Sequence, residues 1–189
     1  MSNYVELTKA RILAGNLDKP EHLYGMLMVE LKEEKANRVI PWIHKYLIDN
    51  RVGAVLDIGG GSGDMITGIT GSTPVLKEVL DKRSFKVHED VHYLQDECSP
   101  SSVSQKAKRE VVIYSDFLHL FSDNDIKEFI ANAQCKTLII VEHVWDDYLD
   151  LRLRLWSNGR CIKPEFITSI TGVKPTLVSS HYIWVVKNG

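Results

Sequence analysis

A chain of 189 residues is the size of one domain with a real hydrophobic core. Its 44% hydrophobic and 25% charged content excludes a disordered chain, and a formal net charge of −2 supplies no global field for nucleic acid, although a local basic groove stays compatible. Residues Met1 to Lys9 hold no apolar leader core and no later run is long enough to span a bilayer. The expectation is therefore a cytoplasmic protein, the nucleus remaining open, with no membrane partner. The cysteines Cys98, Cys135 and Cys161 are far apart and form no CxxC pair, so the sequence suggests neither a zinc site nor a disulfide framework.

Residues 1–50 read as an N-terminal arm followed by helices, and 51–189 as the core of the same single domain. The arm ends at Asn16-Leu17-Asp18-Lys19-Pro20, a natural break. From Glu21 to Asn50 apolar residues recur at helical spacing, with Leu23, Met26 and Leu27 before a charged stretch and Val39, Ile40, Ile43 and Leu47 after it. Two helices, or one long helix with a solvated middle, are expected.

Gly53-Ala54-Val55-Leu56-Asp57-Ile58 is an apolar, partly β-branched run of the kind found in a central strand buried on both faces. Gly59, Gly61 and Gly63 follow and permit positive φ and close approach of backbone N–H groups to a ligand. A dinucleotide fingerprint would need a third glycine where Asp64 stands, and no Gly-Lys-Ser/Thr follows for a phosphate-binding P-loop. A short helix is expected over Met65 to Thr70, its N-terminus facing the ligand. Val75 to Asp81 reads as the second strand and Val91 to Asp96 as the third, with Cys98 to Ser102 a polar loop.

Glu110 to Asp116 is the fourth strand, and a helix over Ile126 to Asn132 follows, for which Ser122 and Asp125 are spaced as a capping box. Lys136 to His143 is the fifth strand and ends in Glu142-His143. Open α/β sheets bind ligands beyond the carboxyl ends of their strands, which places Ser115, Asp116, Leu118, His119 and His143 at the ligand edge. Between Trp145 and Arg160 a helical stripe competes with an alternating hairpin pattern, and a helix is expected. A short helix over Pro164 to Gly172 and a closing antiparallel pair within Thr176 to Val186 complete the chain.

Val55-Leu56-Asp57-Ile58-Gly59-Gly60-Gly61-Ser62-Gly63 resembles motif I of the class I S-adenosylmethionine-dependent methyltransferases, and the segment after the fourth strand resembles their motif IV. The resemblance implies a three-layer α/β Rossmann-like methyltransferase fold. Its sheet would be mostly parallel and seven-stranded with an antiparallel last strand, and helices would cover both faces. It implies S-adenosyl-L-methionine as cofactor. In that likeness the loop Gly59, Gly61 and Gly63 approaches the amino-acid end, and Asp57 braces the loop or holds the cofactor's amino group through water. Asp81, 24 positions after Asp57, receives the ribose hydroxyls, with Glu78 as fallback, and Asp96 accepts from the adenine amino group. Ser115 and Asp116 line donor and acceptor, and His119 or His143 takes a proton from the attacking atom. Each residue also has a plain structural alternative, a loop brace for Asp57 and a hydrogen-bonded core position for either histidine.

The implied activity is methyl transfer to an O or N acceptor, small molecule or RNA. RNA ribose 2′-O-methyltransferases, with a Lys-Asp-Lys-Glu tetrad, are similar at Asp116, but Glu142 stands where the second Lys would be and His181 where the Glu would be. A third expectation is a non-catalytic methyltransferase-like binding module.

Overall fold

The structure is a computed structural model that describes residues 32–70, 75–82, 87–106, 109–144 and 159–188. The strands are β1 (Ala54–Ile58), β2 (Leu76–Asp81), β3 (His92–Gln95), β4 (Val111–Ser115), β5 (Thr137–His143), β6 (Thr176–Val178) and β7 (His181–Lys187). They form one sheet in the order β3-β2-β1-β4-β5-β7-β6, with β1 to β5 parallel and β7 antiparallel to both of its neighbours. The helices are α1 (Ile40–Asp49), α2 (Pro100–Lys106), α3 (Asp123–Asn132) and α4 (Pro164–Thr171).

Side chains alternate across the sheet, so the two core layers divide cleanly. Ile43 and Leu47 of α1 pack with Val55, Val79, Ile113, Ile139 and Ile183 on one face. Val103 of α2, Ile126 and Phe129 of α3 and Ile167 of α4 pack with Leu56, Leu80, Val112, Tyr114, Ile140 and Trp184 on the other. Asp57 has even spacing with Val55 and so belongs to the α1 face. This is the expected three-layer α/β arrangement with helices on both faces. No helix among the described residues is long and apolar enough to cross a membrane.

Two sequence expectations fail locally. Residues 64–68 form turns and no helix follows the glycine loop. Gly68 adopts φ +68°, which breaks the right-handed repeat, and Asp90 holds the turn by accepting from Thr67 Oγ1 at 2.8 Å and Gly68 N at 3.0 Å. The stretch expected as a polar loop instead starts α2 at Pro100, a residue suited to a first turn because its missing N–H is unneeded there. Ser99 Oγ accepts from Ser102 N at 3.2 Å and caps it.

The Ser122–Asp125 capping box forms as expected and starts α3 at Asp123. Ser179, at φ +54°, turns the chain between β6 and β7, so Ser179 and Ser180 separate the two strands. The expected helix over residues 146–163 falls largely outside the described residues, as do the N-terminal arm and the first expected helix.

Candidate active site

The glycine loop leaves the carboxyl end of β1, and its conformation depends on the glycines. Gly59 lies at φ +72°, where an added β-carbon would stand 2.2 Å from Phe117 Cδ2; Gly61, at φ +55°, has open space around its missing β-carbon. Gly59 N donates to Leu80 O at 2.7 Å, and Tyr93 Oη donates to Ser62 O at 2.7 Å, so β2 and β3 fix the loop. At Gly63, φ +84°, an added β-carbon would stand 3.3 Å from Val79, Val91 and Tyr93.

Asp57 is 1% exposed, and among the described residues neither carboxylate oxygen has a hydrogen-bond partner. Burial pushes its carboxyl up to about 7, Lys35 opposes this, and Asp116, Asp81 and Asp64 add to it. Asp57 therefore does not brace the loop with hydrogen bonds. A buried acid with two idle acceptors fits a cationic or N–H-bearing partner.

Asp81 ends β2 beside the loop and its Oδ2 accepts from Gly61 N at 3.1 Å. Glu78, in contrast, is buried earlier in β2, pairs with the Arg109 guanidinium and lies 3.5 Å from His92 Nδ1. That assigns Glu78 to the ion pair and leaves Asp81 as the acid at the ligand edge. Asp96 follows β3 at the same edge; its N donates to Asp81 O at 3.1 Å and its Oδ1 accepts from Glu97 N at 2.7 Å. Ser115 is 6% exposed, with its Oγ unpartnered.

The polar centre lies where β4, β5 and β7 meet. Asp116 follows β4 in the left-handed region at φ +49°, a conformation that costs a non-glycine residue on the order of 1 kcal/mol and concentrates at functional sites. Its N donates to Val141 O at 2.9 Å, which pins the turn. Asp116 Oδ2 accepts from Lys35 Nζ at 2.6 Å, and its Oδ1 is 3.3 Å from His143 Nε2 and 3.4 Å from His181 Nε2. His143 and His181 are direct cross-strand partners in the antiparallel β5–β7 pair, which places their ring centroids 4.4 Å apart. His181 is fully buried.

Burial works against the Asp116 carboxylate, but His143, Lys35 and His181 outweigh it and hold the carboxyl well below the usual range. Burial lowers His143 to about 4, with Asp116 opposing and His181 reinforcing the shift. His143 is thus neutral near pH 7, and the Lys35 ammonium is the charge that then keeps Asp116 ionised. Burial also opposes the Lys35 charge, yet Asp116, followed by Asp57 and Glu142, raises its pKa overall.

Lys35 reaches this point through a wide turn. Residues Lys35–Val39 are π-helical, and Ile40 N donates back to Lys35 O. Pro41 has no N–H for an ordinary bond to Asn37 O, and its ring would crowd that carbonyl, which accounts for the widened turn.

His119 belongs to a neighbouring network. It lies in a short turn, Leu118–Leu120, and its Nδ1 is 3.1 Å from Glu142 Oε2, while Glu142 Oε1 accepts from Phe117 N at 3.2 Å and Leu118 N at 2.8 Å. Burial lowers the His119 pKa but Glu142 raises it more, for a net upward shift. The structure therefore joins Asp116 with His143 and sets His119 beside them, 6.5 Å from the His143 ring. Sequence reasoning missed Lys35, which sits in a charged run, and in the tetrad comparison took Glu142 as the β5 contribution where His143 faces Asp116.

No protein-family model matches the sequence, and no curated protein matches it. Solved structures do. An O-methyltransferase family protein from Burkholderia thailandensis superposes with a TM-score of 0.68 at 14% identity, over 89% of this chain and 59% of its own. An O-methyltransferase from neocarzinostatin biosynthesis, solved with S-adenosylmethionine and 2-hydroxy-5-methyl naphthoic acid, gives 0.55 at 16% identity, over 73% of this chain and 50% of its own. Magnesium protoporphyrin IX methyltransferase from Synechocystis PCC 6803, with bound SAH, gives 0.63 at 12% identity, over 97% of this chain and 99% of its own. The chain thus spans between half and three fifths of the first two and nearly all of the third. At these identities the likeness is one of architecture: the chain has the Rossmann-like fold of the class I S-adenosylmethionine-dependent methyltransferases.

Proposed function

We propose that this protein binds S-adenosyl-L-methionine at the glycine loop and directs its methyl group to an acceptor hydroxyl held at Lys35, Asp116, His143 and His181. The observation that carries the reading is Asp57: a fully buried carboxyl with both oxygens unpartnered, at the head of a loop built from positive-φ glycines. The cofactor's ammonium group suits that acid, the open space at Gly61 admits its amino-acid end, and Asp81 at the end of β2 suits its ribose. In this reading Asp96, after β3 at the same edge, accepts from the adenine amino group and Ser115 faces the sulfonium. When bound, the cofactor supplies an electrophilic methyl, so the protein needs no covalent nucleophile.

The chain's own work is to hold the acceptor in line and exclude water. Lys35 donates toward the acceptor oxygen from one side of Asp116, while His143, neutral near pH 7, offers a lone pair from the other. His119 is the third histidine of this edge and acts through Glu142 on the turn that carries Leu118.

The acceptor class divides into two. A small phenol or alcohol is the first. RNA ribose is the second, favoured by one observation: the four side chains come from the helix before β1, the end of β4, the end of β5 and the start of β7. Those stations match a Lys-Asp-Lys-Glu tetrad with histidines at the last two.

Calorimetry with S-adenosylmethionine, followed by methyl transfer from labelled cofactor to a phenol panel and to capped RNA with and without the 2′-hydroxyl, tests this. The expected result is binding by the wild type and by Asp116→Asn, with transfer about a hundredfold or more lower in the variant. No binding sinks the proposal, and binding without transfer to either acceptor class leaves a cofactor-binding module.

A further inference from the structure

We propose that Asp116, His143 and His181 form a binding site for a divalent first-row transition-metal ion, in which Asp116 Oδ1 and one nitrogen of each imidazole are the ligands. The site stands on these three side chains alone; only its part in methyl transfer rests on the function proposed above.

The ligand atoms of the three residues lie within 4.8 Å of one another. The spacing about the carboxylate is informative. Asp116 Oδ1 is 3.3 Å from His143 Nε2 and 3.4 Å from His181 Nε2. Two ligands at about 2.0–2.1 Å from a shared ion, at the tetrahedral angle, stand roughly 3.3–3.4 Å apart. Both contacts are close charge approaches in poor hydrogen-bonding alignment, and among the described residues neither Asp116 Oδ1 nor His181 Nε2 has a partner in good hydrogen-bonding geometry. A fully buried imidazole nitrogen stands 3.4 Å from that carboxylate oxygen without a well-directed hydrogen bond, and an ion bonded to both atoms would satisfy them at once.

The surroundings support a cation. His181 Nδ1 is 3.2 Å from Ser180 Oγ, and with Nδ1–H donating to that hydroxyl the lone pair sits on Nε2, toward Asp116. Lys35 occupies Oδ2 and leaves Oδ1 for the ion. Lys35 itself is attracted by Asp116, Asp57 and Glu142 together, so carboxylates outnumber it at this edge. Two imidazoles and one carboxylate suit zinc, cobalt, iron(II) or manganese better than magnesium or calcium, which prefer all-oxygen shells.

Three protein ligands leave at least one coordination position open. Within the proposed activity, an acceptor hydroxyl in that position would bond to the ion through its oxygen and lose its proton more readily. The resulting oxygen then carries the electron pair that forms the new O–CH3 bond, and the departing sulfur takes the pair of the broken S–CH3 bond. With the ion bound, the His143 lone pair is held by the metal and the ion replaces His143 in activating the hydroxyl, so the proton passes to solvent, and no oxidant or reductant is consumed.

Titration of the purified chain with Co2+, followed by d–d absorption and by calorimetry, tests the site, with His143→Ala and His181→Ala as ligand variants and His88→Ala as a control histidine paired with Asp64. The expected result is one ion per chain, at least tenfold weaker binding in each ligand variant and no change in His88→Ala. Because His181 is fully buried its variant could fail to fold; His143→Ala, at a partly exposed position, then decides. Binding unchanged in His143→Ala, or equally weakened in His88→Ala, overturns the site. S-adenosylmethionine binding measured in the same ion-free samples separates the two proposals, since it survives if only the metal site is wrong.

Discussion

Asp57 links stability, protonation and ligand binding in one residue. In the folded chain its carboxyl ionises at about 7, against an ordinary value of 3.8 that applies when the chain is unfolded. Between those values the folded state keeps a proton that the unfolded state has released, so this group's contribution to stability falls as pH rises through the interval and is constant above it. A difference of that size corresponds to on the order of 4 kcal/mol at most. Urea unfolding of ligand-free protein should show a midpoint that declines between about pH 4 and about pH 7, and Asp57→Asn should flatten the decline. A cationic ligand reverses the preference, because it favours the ionised acid. Affinity for S-adenosylmethionine should rise several-fold between about pH 6 and pH 7.5 in the wild type and stay flat in Asp57→Asn.

Two glycines of the loop make a sharper pair. Gly59→Ala drives a β-carbon to 2.2 Å from the Phe117 ring in a left-handed backbone and should prevent stable folding. Gly61→Ala meets nothing within 4 Å and should cost only about 1–2 kcal/mol in thermal unfolding, while calorimetry reports weakened cofactor binding.

At the scale of elements, the π-helical turn before α1 begins at Lys35, the residue that pairs with Asp116. Pro41→Ala restores the missing N–H and permits the ordinary four-residue repeat. The expected outcome is a folded protein with stability changed by about 1 kcal/mol or less, intact S-adenosylmethionine binding and reduced methyl transfer. Equal transfer rates in wild type and variant would detach the turn from the site. The bulge was not legible in the sequence, since Lys35 is one charge in a charged run and a proline inside a helical pattern more simply ends it. The strands were legible, because buried parallel strands are continuous apolar runs with sharp ends. The turn over residues 64–68 was not, because the deciding bonds come from Asp90, more than twenty positions away.

For the molecule as a whole, the centre is assembled by topology. Lys35 precedes the sheet, Asp116 follows β4, His143 ends β5 and His181 begins β7, and only the crossing order of the strands brings them to one edge. The residues proposed for the cofactor could be named from the sequence because their motif is contiguous. The residues proposed for the acceptor could be named only as a set of strand ends, since choosing His143 over Glu142 depends on which face each presents. That choice follows from the register His143↔His181, which no local pattern encodes.

The reversed direction of β7 also governs where the chain departs. Its first residue stands at the ligand edge and its last at the opposite one, where Asn188 N donates to Lys136 O at 2.9 Å and Asn188 Nδ2 to Cys135 O at 2.9 Å. The polypeptide thus leaves β7 on the side remote from Asp57 and Asp116, so whatever chain follows Asn188 starts away from the mouth of the site.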